Sequence, residues 1–183
     1  DGTPLVVRPL PFPLPPTVPA PPPPSPALVN DFTYFAEDAA GLRCPLGAHV
    51  RRANPRDALA DPAVGVSPAD AIELTKSHRI LRRGRMFRRD GKRGIFFQCL
   101  NTNLERQFEF VQQAWVNNPK FSGPYEERDP LVGSTAHNQS HELTITAGPE
   151  RERGCYLHEY VTVRGGAYFF LPGSKALRYL TEP

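Results

Sequence analysis

One histidine stands beside a dense group of cations in the segment at residues 44–56, CPLGAHVRRANPR. His49 is followed closely by Arg51, Arg52 and Arg56. A neutral imidazole is a common ligand for iron and other metals, and a guanidinium group pairs well with carboxylates. The residue types therefore allow a metal at His49 with an anionic group on the arginines. A polar loop histidine beside a solvated basic face has the same composition, so the pattern leaves both interpretations open.

Length and charge exclude several classes of function. The chain has 183 residues, enough for one domain or one and a half with a sizeable core. Its net charge of +3, from 22 basic and 19 acidic residues, is too small to indicate nucleic-acid binding. No apolar run reaches the length of a membrane span. We therefore expect neither nucleic acid nor a membrane among its partners.

The cysteines and the first residue bear on the cellular setting. Cys44, Cys99 and Cys155 are an odd number of thiols, and they form no C-x-x-C metal motif. Reduced, buried thiols in a cytoplasmic protein are the simplest interpretation. The chain starts at Asp1 with neither an initiator methionine nor a signal-peptide pattern, so we expect a fragment or a processed piece of a longer protein.

Proline content divides the chain into two parts. Twelve of the 22 prolines lie in residues 1–26. Proline lacks the backbone donor and fixes φ, so residues 1–29 are expected to be extended or disordered. Their P-x-x-P spacing could dock to an SH3-like partner, although a plain spacer is the simpler interpretation. Residues 30–183 are then predicted to form the ordered domain.

Turn and periodicity signals predict the elements of that domain. Residues 57–70 indicate a loop, and the next two strands are expected at 80–88 and 94–100, joined by a turn at Asp90-Gly91. Asn103 is the expected N-cap of a helix that ends near residue 117. This helix carries one apolar stripe facing a core, at Leu104, Phe108, Val111 and Trp115.

The remaining elements complete the predicted fold. Strands are expected at residues 143–147, 160–164 and 167–171, and a helix at 174–180. This order predicts an α+β fold in which helices cover one face of an antiparallel sheet.

Several sequence blocks resemble one family in that family's own order. The segment at 44–56 resembles the signature around the proximal haem ligand of the dye-decolorizing (DyP-type) peroxidases. Further similar blocks, spread over about residues 30–180, are HRILRRG at 78–84, RGIFF at 93–97, LERQFEFVQQ at 104–113, ERDPLVG at 127–133 and VTVRGGAYFFLP at 161–172. The resemblance implies the C-terminal half of a two-domain fold. Each domain of that fold is a ferredoxin-like antiparallel sheet with helices on one face.

The resemblance also implies a cofactor and the residues that hold it. The cofactor is haem b (iron protoporphyrin IX), with His49 as the iron ligand. Asp129 is the candidate acceptor for the other ring proton of His49, although an aspartate before proline is also a common turn former. Arg51, Arg52 and Arg56 are candidates for binding the haem propionates. Arg56 is favoured because Asn54-Pro55 would fix the backbone before it.

A second candidate arginine follows from the block at residues 78–84. Arg82 matches the family's distal arginine better than the neighbouring Arg83 does. A permanent positive charge can stabilise the negative charge that develops as the O–O bond of a peroxide breaks. A surface charge or a salt bridge is the alternative, since arginine is frequent in this stretch.

The activity that the resemblance implies is the oxidation of organic reductants by hydrogen peroxide. The family's distal aspartate belongs to a Gly-x-x-Asp-Gly motif, which these 183 residues do not contain. We therefore expect weak or absent turnover by this chain alone, and a missing N-terminal half or a homo-oligomer as its partner. The alternatives are a haem-binding module without turnover, and a non-catalytic interaction protein that uses the proline-rich segment.

Overall fold

The computed structural model describes residues 32–121, 123, 126–134, 142–147, 150–153 and 157–181. The predicted proline-rich segment at 1–29 lies outside the described residues. In chain order the elements are α1 (His49–Ala53), a 3-10 turn (Pro62–Val64), α2 (Pro68–Lys76), β1 (Leu81–Arg89), β2 (Lys92–Leu100), α3 (two runs of π-helical turns, Glu105–Glu109 and Val111–Val116, joined at Phe110), β3 (Thr144–Ala147), β4 (Glu150–Arg153) and α4 (Ser174–Thr181).

Strands β1 and β2 form the predicted antiparallel hairpin. Asp90 and Gly91 both have positive φ, at 50° and 74°, as the tight two-residue turn between strands requires. Phe87 lies opposite Gly94 in the register. A Cβ on Gly94 would come within 2.6 Å of the Phe87 ring, so glycine is needed for the ring to fold across the neighbouring strand. Both the strands and their turn are confirmed.

Helix α2 begins inside the stretch that the composition assigned to a loop, so the loop prediction for residues 57–70 is wrong at its C-terminal end. Ser67 Oγ accepts a hydrogen bond from the Asp70 amide at 3.2 Å, and Asp70 Oδ2 accepts one from the Ser67 amide at 3.4 Å. This reciprocal capping box, followed by Pro68 in the first turn, starts the helix. The S-x-x-D spacing was the signal for it in the sequence.

Helix α3 supplies one of two small hydrophobic cores. Asn103 Oδ1 accepts a hydrogen bond from the Arg106 amide at 2.8 Å, which confirms the predicted N-cap. Val111 and Trp115 of the predicted stripe are buried and pack with Val116 and Phe121. The other end of the stripe, at Leu104, is exposed. The second core is formed by Phe32, Tyr34 and Cys44, beneath α1.

The last part of the chain differs most from the prediction. Strand β3 and helix α4 lie where they were expected, but β3 pairs with β4, at Glu150–Arg153, which was not predicted. The strands predicted at 160–164 and 167–171 are wrong, since residues 158–173 contain neither helix nor strand. A strand forms only where a neighbouring strand binds its N–H and C=O groups, and the described strands pair elsewhere.

The described residues therefore confirm an α+β fold, with its strands in two separate antiparallel ribbons. Much apolar surface on the hairpin and on residues 158–171 remains exposed, including Phe169 and Phe170 at 88% each. No helix in the described part of the chain has both the length and the apolar character needed to cross a bilayer.

The capping box predicts a measurable contribution of Ser67. We expect Ser67→Ala to lower the free energy of unfolding by about 1 kcal/mol, because the Asp70 amide loses its acceptor. Urea denaturation measures this change. Ser77→Ala is the matched control at the other end of α2, where the exposed hydroxyl donates to the Leu74 carbonyl, and it should change stability by less than about 0.5 kcal/mol. Equal losses in the two variants would contradict the capping role.

Candidate functional site

His49 is the first residue of α1, and its side chain is partly exposed. The turn before the helix is closed by a hydrogen bond from the Ala48 amide to the Pro45 carbonyl, at 2.9 Å. The His49 side chain keeps 39% of its surface exposed. Its Nδ1 lies 2.8 Å from Oδ2 of Asp129, whose side chain is 0% exposed. The structure thus joins two residues that lie 80 positions apart in the sequence.

The two carboxylate oxygens of Asp129 have different partners. Oδ2 faces His49, while Oδ1 accepts hydrogen bonds from the amides of Leu131 and Val132, at 2.9 and 3.0 Å. The turn closes with a bond from the Gly133 amide to the Asp129 carbonyl, at 3.0 Å. A Cβ on Gly133 would lie 2.5 Å from that carbonyl oxygen, so the turn requires glycine there. Asp129 is therefore both a turn former and the partner of the histidine.

The electrostatics of this pair keep the carboxylate ionised. Burial alone would raise the pKa of Asp129. The hydrogen bond and charge of His49, together with the amides of Leu131 and Val132, outweigh burial and hold the pKa below its ordinary value. An ionised Oδ2 accepts the proton of Nδ1, which leaves Nε2 as the ring nitrogen that can bind a metal.

Arg51 is placed in the protein interior and not at an anion site. Residues two apart in a helix point to nearly opposite sides, so Arg51 is directed away from the side of α1 that carries His49. Its Nη1 donates to the carbonyls of Asp38 and Cys44, at 2.9 and 3.1 Å, and its guanidinium carbon lies 4.6 Å from the centre of the Tyr34 ring. These contacts give Arg51 a structural role, and the prediction that it binds a propionate gains no support.

Arg56 sits at a strained backbone position beside the second core. Its φ is 53°, in the left-handed region that residues with a Cβ rarely adopt. The Thr75 hydroxyl donates to its carbonyl at 3.1 Å, which fixes the backbone. The guanidinium lies 3.9 Å above the Phe32 ring and donates to the Phe32 carbonyl at 3.2 Å. Arg56 is half-buried, and its role as an anion-binding residue stays a prediction.

Arg82 projects from an exposed strand. It lies opposite Cys99 in the β1–β2 register, and its neighbour Arg83 points to the other face and donates to the Arg82 carbonyl at 3.2 Å. Among the described residues, no hydrogen bond or ion pair joins Arg82 to His49 or to Asp129. Its distal role therefore stays a prediction.

Two buried carboxylates that were not singled out in the sequence, Asp38 and Glu127, stabilise the segments next to the site. Asp38 accepts hydrogen bonds from the amides of Arg43 and Cys44, at 3.0 and 2.8 Å, and so shapes the loop before α1. Glu127 accepts from the amide and hydroxyl of Thr144. Nothing in local sequence distinguishes these acids from surface ones, because their partners are backbone amides or distant residues.

Cys44 is not available as a ligand at this site. Burial is the largest influence on its thiol, and it raises the pKa to about 11, with Asp38 acting in the same direction and Arg51 opposing. Within the described ranges, no three His, Cys, Asp or Glu side chains gather in a way that could hold a metal ion. The chemistry offered is that of a single imidazole, hydrogen-bonded to an ionised carboxylate.

The sequence of the chain is similar to those of known proteins. No protein-family model matches the chain. A multifunctional dye peroxidase, DyP2, from Amycolatopsis sp. is 33% identical over 181 residues, which cover 82% of this chain and 35% of that protein. The dye-decolorizing peroxidase msp1 of Mycetinis scorodonius is 28% identical over 170 residues, covering 81% of this chain and 32% of its own length.

Solved structures agree with the sequence matches. A DyP-type peroxidase from Anabaena sp. superimposes with a TM-score of 0.58 at 28% identity, over 73% of this chain and 30% of that one. The structure of DyP2 from Amycolatopsis sp. gives a TM-score of 0.61 at 30% identity, over 78% and 34%. The fold is thus that of part of a DyP-type peroxidase.

The chain is a homologue of the dye-decolorizing peroxidases over about four fifths of its length. It spans about a third of the length of the curated relatives it matches.

The lowered pKa of Asp129 predicts how stability depends on pH. We expect Asp129→Asn to lower the free energy of unfolding by about 1–3 kcal/mol near neutral pH, since the amide oxygen can still cap the turn but the charged bond to His49 is lost. A carboxyl whose pKa is lowered by folding contributes stability above its unfolded value of about 4, and that contribution disappears as the pH falls through the folded value. The difference in the free energy of unfolding between the parent chain and Asp129→Asn should therefore become smaller at acidic pH.

Urea denaturation from about pH 7 to about pH 3 follows this difference. Asp61→Asn is the matched control, because the Asp61 carboxylate also accepts from a backbone amide, that of Ala63, but is exposed. A difference for Asp129→Asn that stays constant down to the lowest pH would rule out the charged pair.

Proposed function

We propose that this chain is the haem-binding portion of a dye-decolorizing peroxidase, with haem b held through Nε2 of His49. The observation that carries the proposal is the 2.8 Å contact between Nδ1 of a part-exposed His49 and the fully buried carboxylate of Asp129. Haem-ligating histidines generally donate their second ring proton to such an acceptor, which orients the ring and makes it a stronger ligand.

The residues present fit a haem better than a bare metal ion. A porphyrin supplies four nitrogens to its iron, so one protein ligand is sufficient. The described residues offer one oriented imidazole and no cluster of three ligands. The His49 side chain is partly exposed, which supports its access to such a group.

Arg56 and Arg82 are proposed to act on charged groups around the haem. The Arg56 guanidinium is proposed to pair with a propionate, and the Phe32 ring against it limits the orientations that the guanidinium can take. Arg82 is proposed to stabilise the negative charge that forms on the peroxide oxygen. When bound, the haem iron would supply the electron transfer that couples hydrogen peroxide to organic reductants. The protein's part is to orient the ligand and to place positive charge.

The acid that assists peroxide cleavage is proposed to come from polypeptide outside these 183 residues, because the sequence has no Gly-x-x-Asp-Gly motif. The exposed apolar side chains of the hairpin and of residues 158–171 support a covering partner, since soluble domains rarely leave so much apolar surface in water. An N-terminal half of the same protein or a second copy could provide it. Cytoplasmic localisation remains part of this proposal.

His49 should be required for haem binding. We expect the full chain to develop a Soret band when ferric haem is added, and His49→Ala to abolish it, because the iron would then lose its proposed protein ligand. Absorption titration measures the band. His158→Ala is the control, since His158 is an exposed histidine outside the site, and it should behave as the parent chain.

Four outcomes of that titration and of a peroxide-dependent dye assay separate the possible functions. A Soret band with no peroxide-dependent oxidation of dye supports the haem portion of an enzyme whose acid lies elsewhere. Efficient dye oxidation by the chain alone would contradict the need for an outside acid. An unchanged band in His49→Ala would exclude the proposed ligand, and no haem binding by the parent chain would favour a non-catalytic interaction protein.

Arg56 should contribute to haem affinity through its charge. We expect Arg56→Gln to weaken the affinity roughly tenfold, the effect of losing one charge-assisted hydrogen bond to a carboxylate. Titration with haem dimethyl ester, which lacks free propionates, should abolish the difference between variant and parent. Arg85→Gln, on the exposed face of β1, is the control for general charge. If haem and its ester respond equally to Arg56→Gln, Arg56 does not bind a propionate.

A further inference from the structure

Helix α1 contains two adjacent buried arginines that bind different parts of the protein. Arg51 donates to the loop at residues 38–44. Arg52, which is 0% exposed, donates its hydrogen bonds to other segments of the chain. A buried cation is costly unless its donors are satisfied, so the partners of each arginine show what it holds in place.

Arg52 binds four backbone carbonyls through its three nitrogens. Nε donates to Gly47 at 3.2 Å, and Nη2 donates to Glu127 at 2.6 Å. Nη1 donates to both Trp115 and Asn118, at 2.9 and 3.0 Å. Burial lowers the pKa of this guanidinium, while the charges of Asp129 and Glu127 oppose that shift. No carboxylate is hydrogen-bonded to it among the described residues.

These carbonyls belong to the segments that carry the histidine–aspartate pair. Gly47 lies two residues before His49, and Glu127 lies two residues before Asp129. Trp115 precedes Val116, whose carbonyl accepts the Asp129 amide at 2.9 Å. Arg52 therefore connects the histidine segment, the aspartate segment and the end of α3 that supports the aspartate.

We propose that Arg52 is a positioning residue that sets the His49–Asp129 hydrogen bond, and that it does not bind the cofactor. Its full burial prevents contact with a ligand on the exposed side of His49. The planar guanidinium has five N–H donors in a rigid fork, which can hold several carbonyls at fixed angles. Lysine has three donors on one atom and cannot reach the same carbonyls in the same geometry.

The test uses the full chain without haem, with histidine labelled by nitrogen-15. The readout is the NMR signal of the His49 Nδ1 proton, assigned by its loss in His49→Ala and in Asp129→Asn. We expect Arg52→Met to abolish this signal or to make the proton exchange with water at least roughly tenfold faster. Arg52→Lys should give an intermediate effect, and it keeps the test valid if Arg52→Met does not fold.

Arg51→Met is the matched control, because it removes an equally buried arginine from the same helix. It should lower the melting temperature and leave the ring proton protected. A protected proton in both Arg52 variants, or equal loss in Arg51→Met, would overturn the inference and reduce Arg52 to general stability.

The inference rests on the proposed function only for the identity of the iron ligand. Because the NMR signal is measured in the haem-free chain, a failure of the Arg52 inference can be distinguished from a failure of the proposed haem function. Haem binding could prove independent of His49 while protection of the His49 Nδ1 proton requires Arg52. In that case the proposed function is wrong and the positioning role stands. In the haem-bound chain, Arg52→Met should shift the iron–histidine stretching frequency in the same direction as Asp129→Asn, with no further shift in the double variant.

Discussion

The burial of two arginine cations in a five-residue helix is the constraint on which the rest of the described structure depends. A helix as short as α1 is not stable by itself. Its guanidinium groups bring backbone carbonyls from residues 38–47, 115–118 and 127 around it, because a buried donor without an acceptor is costly. The two apolar clusters are small, so the hydrogen bonds of the arginines contribute to holding these segments together.

The same constraint explains how the site is formed. Asp129 uses one oxygen to cap its own turn and the other to bind His49, so the turn geometry and the ring orientation depend on one another. An ionised carboxylate in this position fixes which ring nitrogen carries the proton. The protein's own contacts therefore fix the orientation of the His49 ring.

The exposed hairpin and the residues from 158 to 171 stand apart from this organised region. Their apolar side chains belong to sequence blocks that are shared with much longer homologues, yet the chain spans about a third of those proteins. A strand segment without a partner cannot satisfy its backbone groups as sheet. The absence of regular structure at residues 158–173 and the exposed Phe169 and Phe170 therefore have a common physical cause, the lack of a neighbouring surface among the residues that the structure describes.

The sequence by itself determined the hairpin, the helix that begins after Asn103, the α+β class and the importance of the segment at 44–56, since turn residues, caps and periodic apolar positions act over a few neighbours. The block order in the chain also indicated Asp129 as the partner of His49. Only the tertiary structure decided that Arg51 and Arg52 are interior residues and that the final predicted strands do not form. Burial and strand pairing depend on contacts between residues far apart in the chain, and local patterns do not encode which of several neighbouring arginines turns inward.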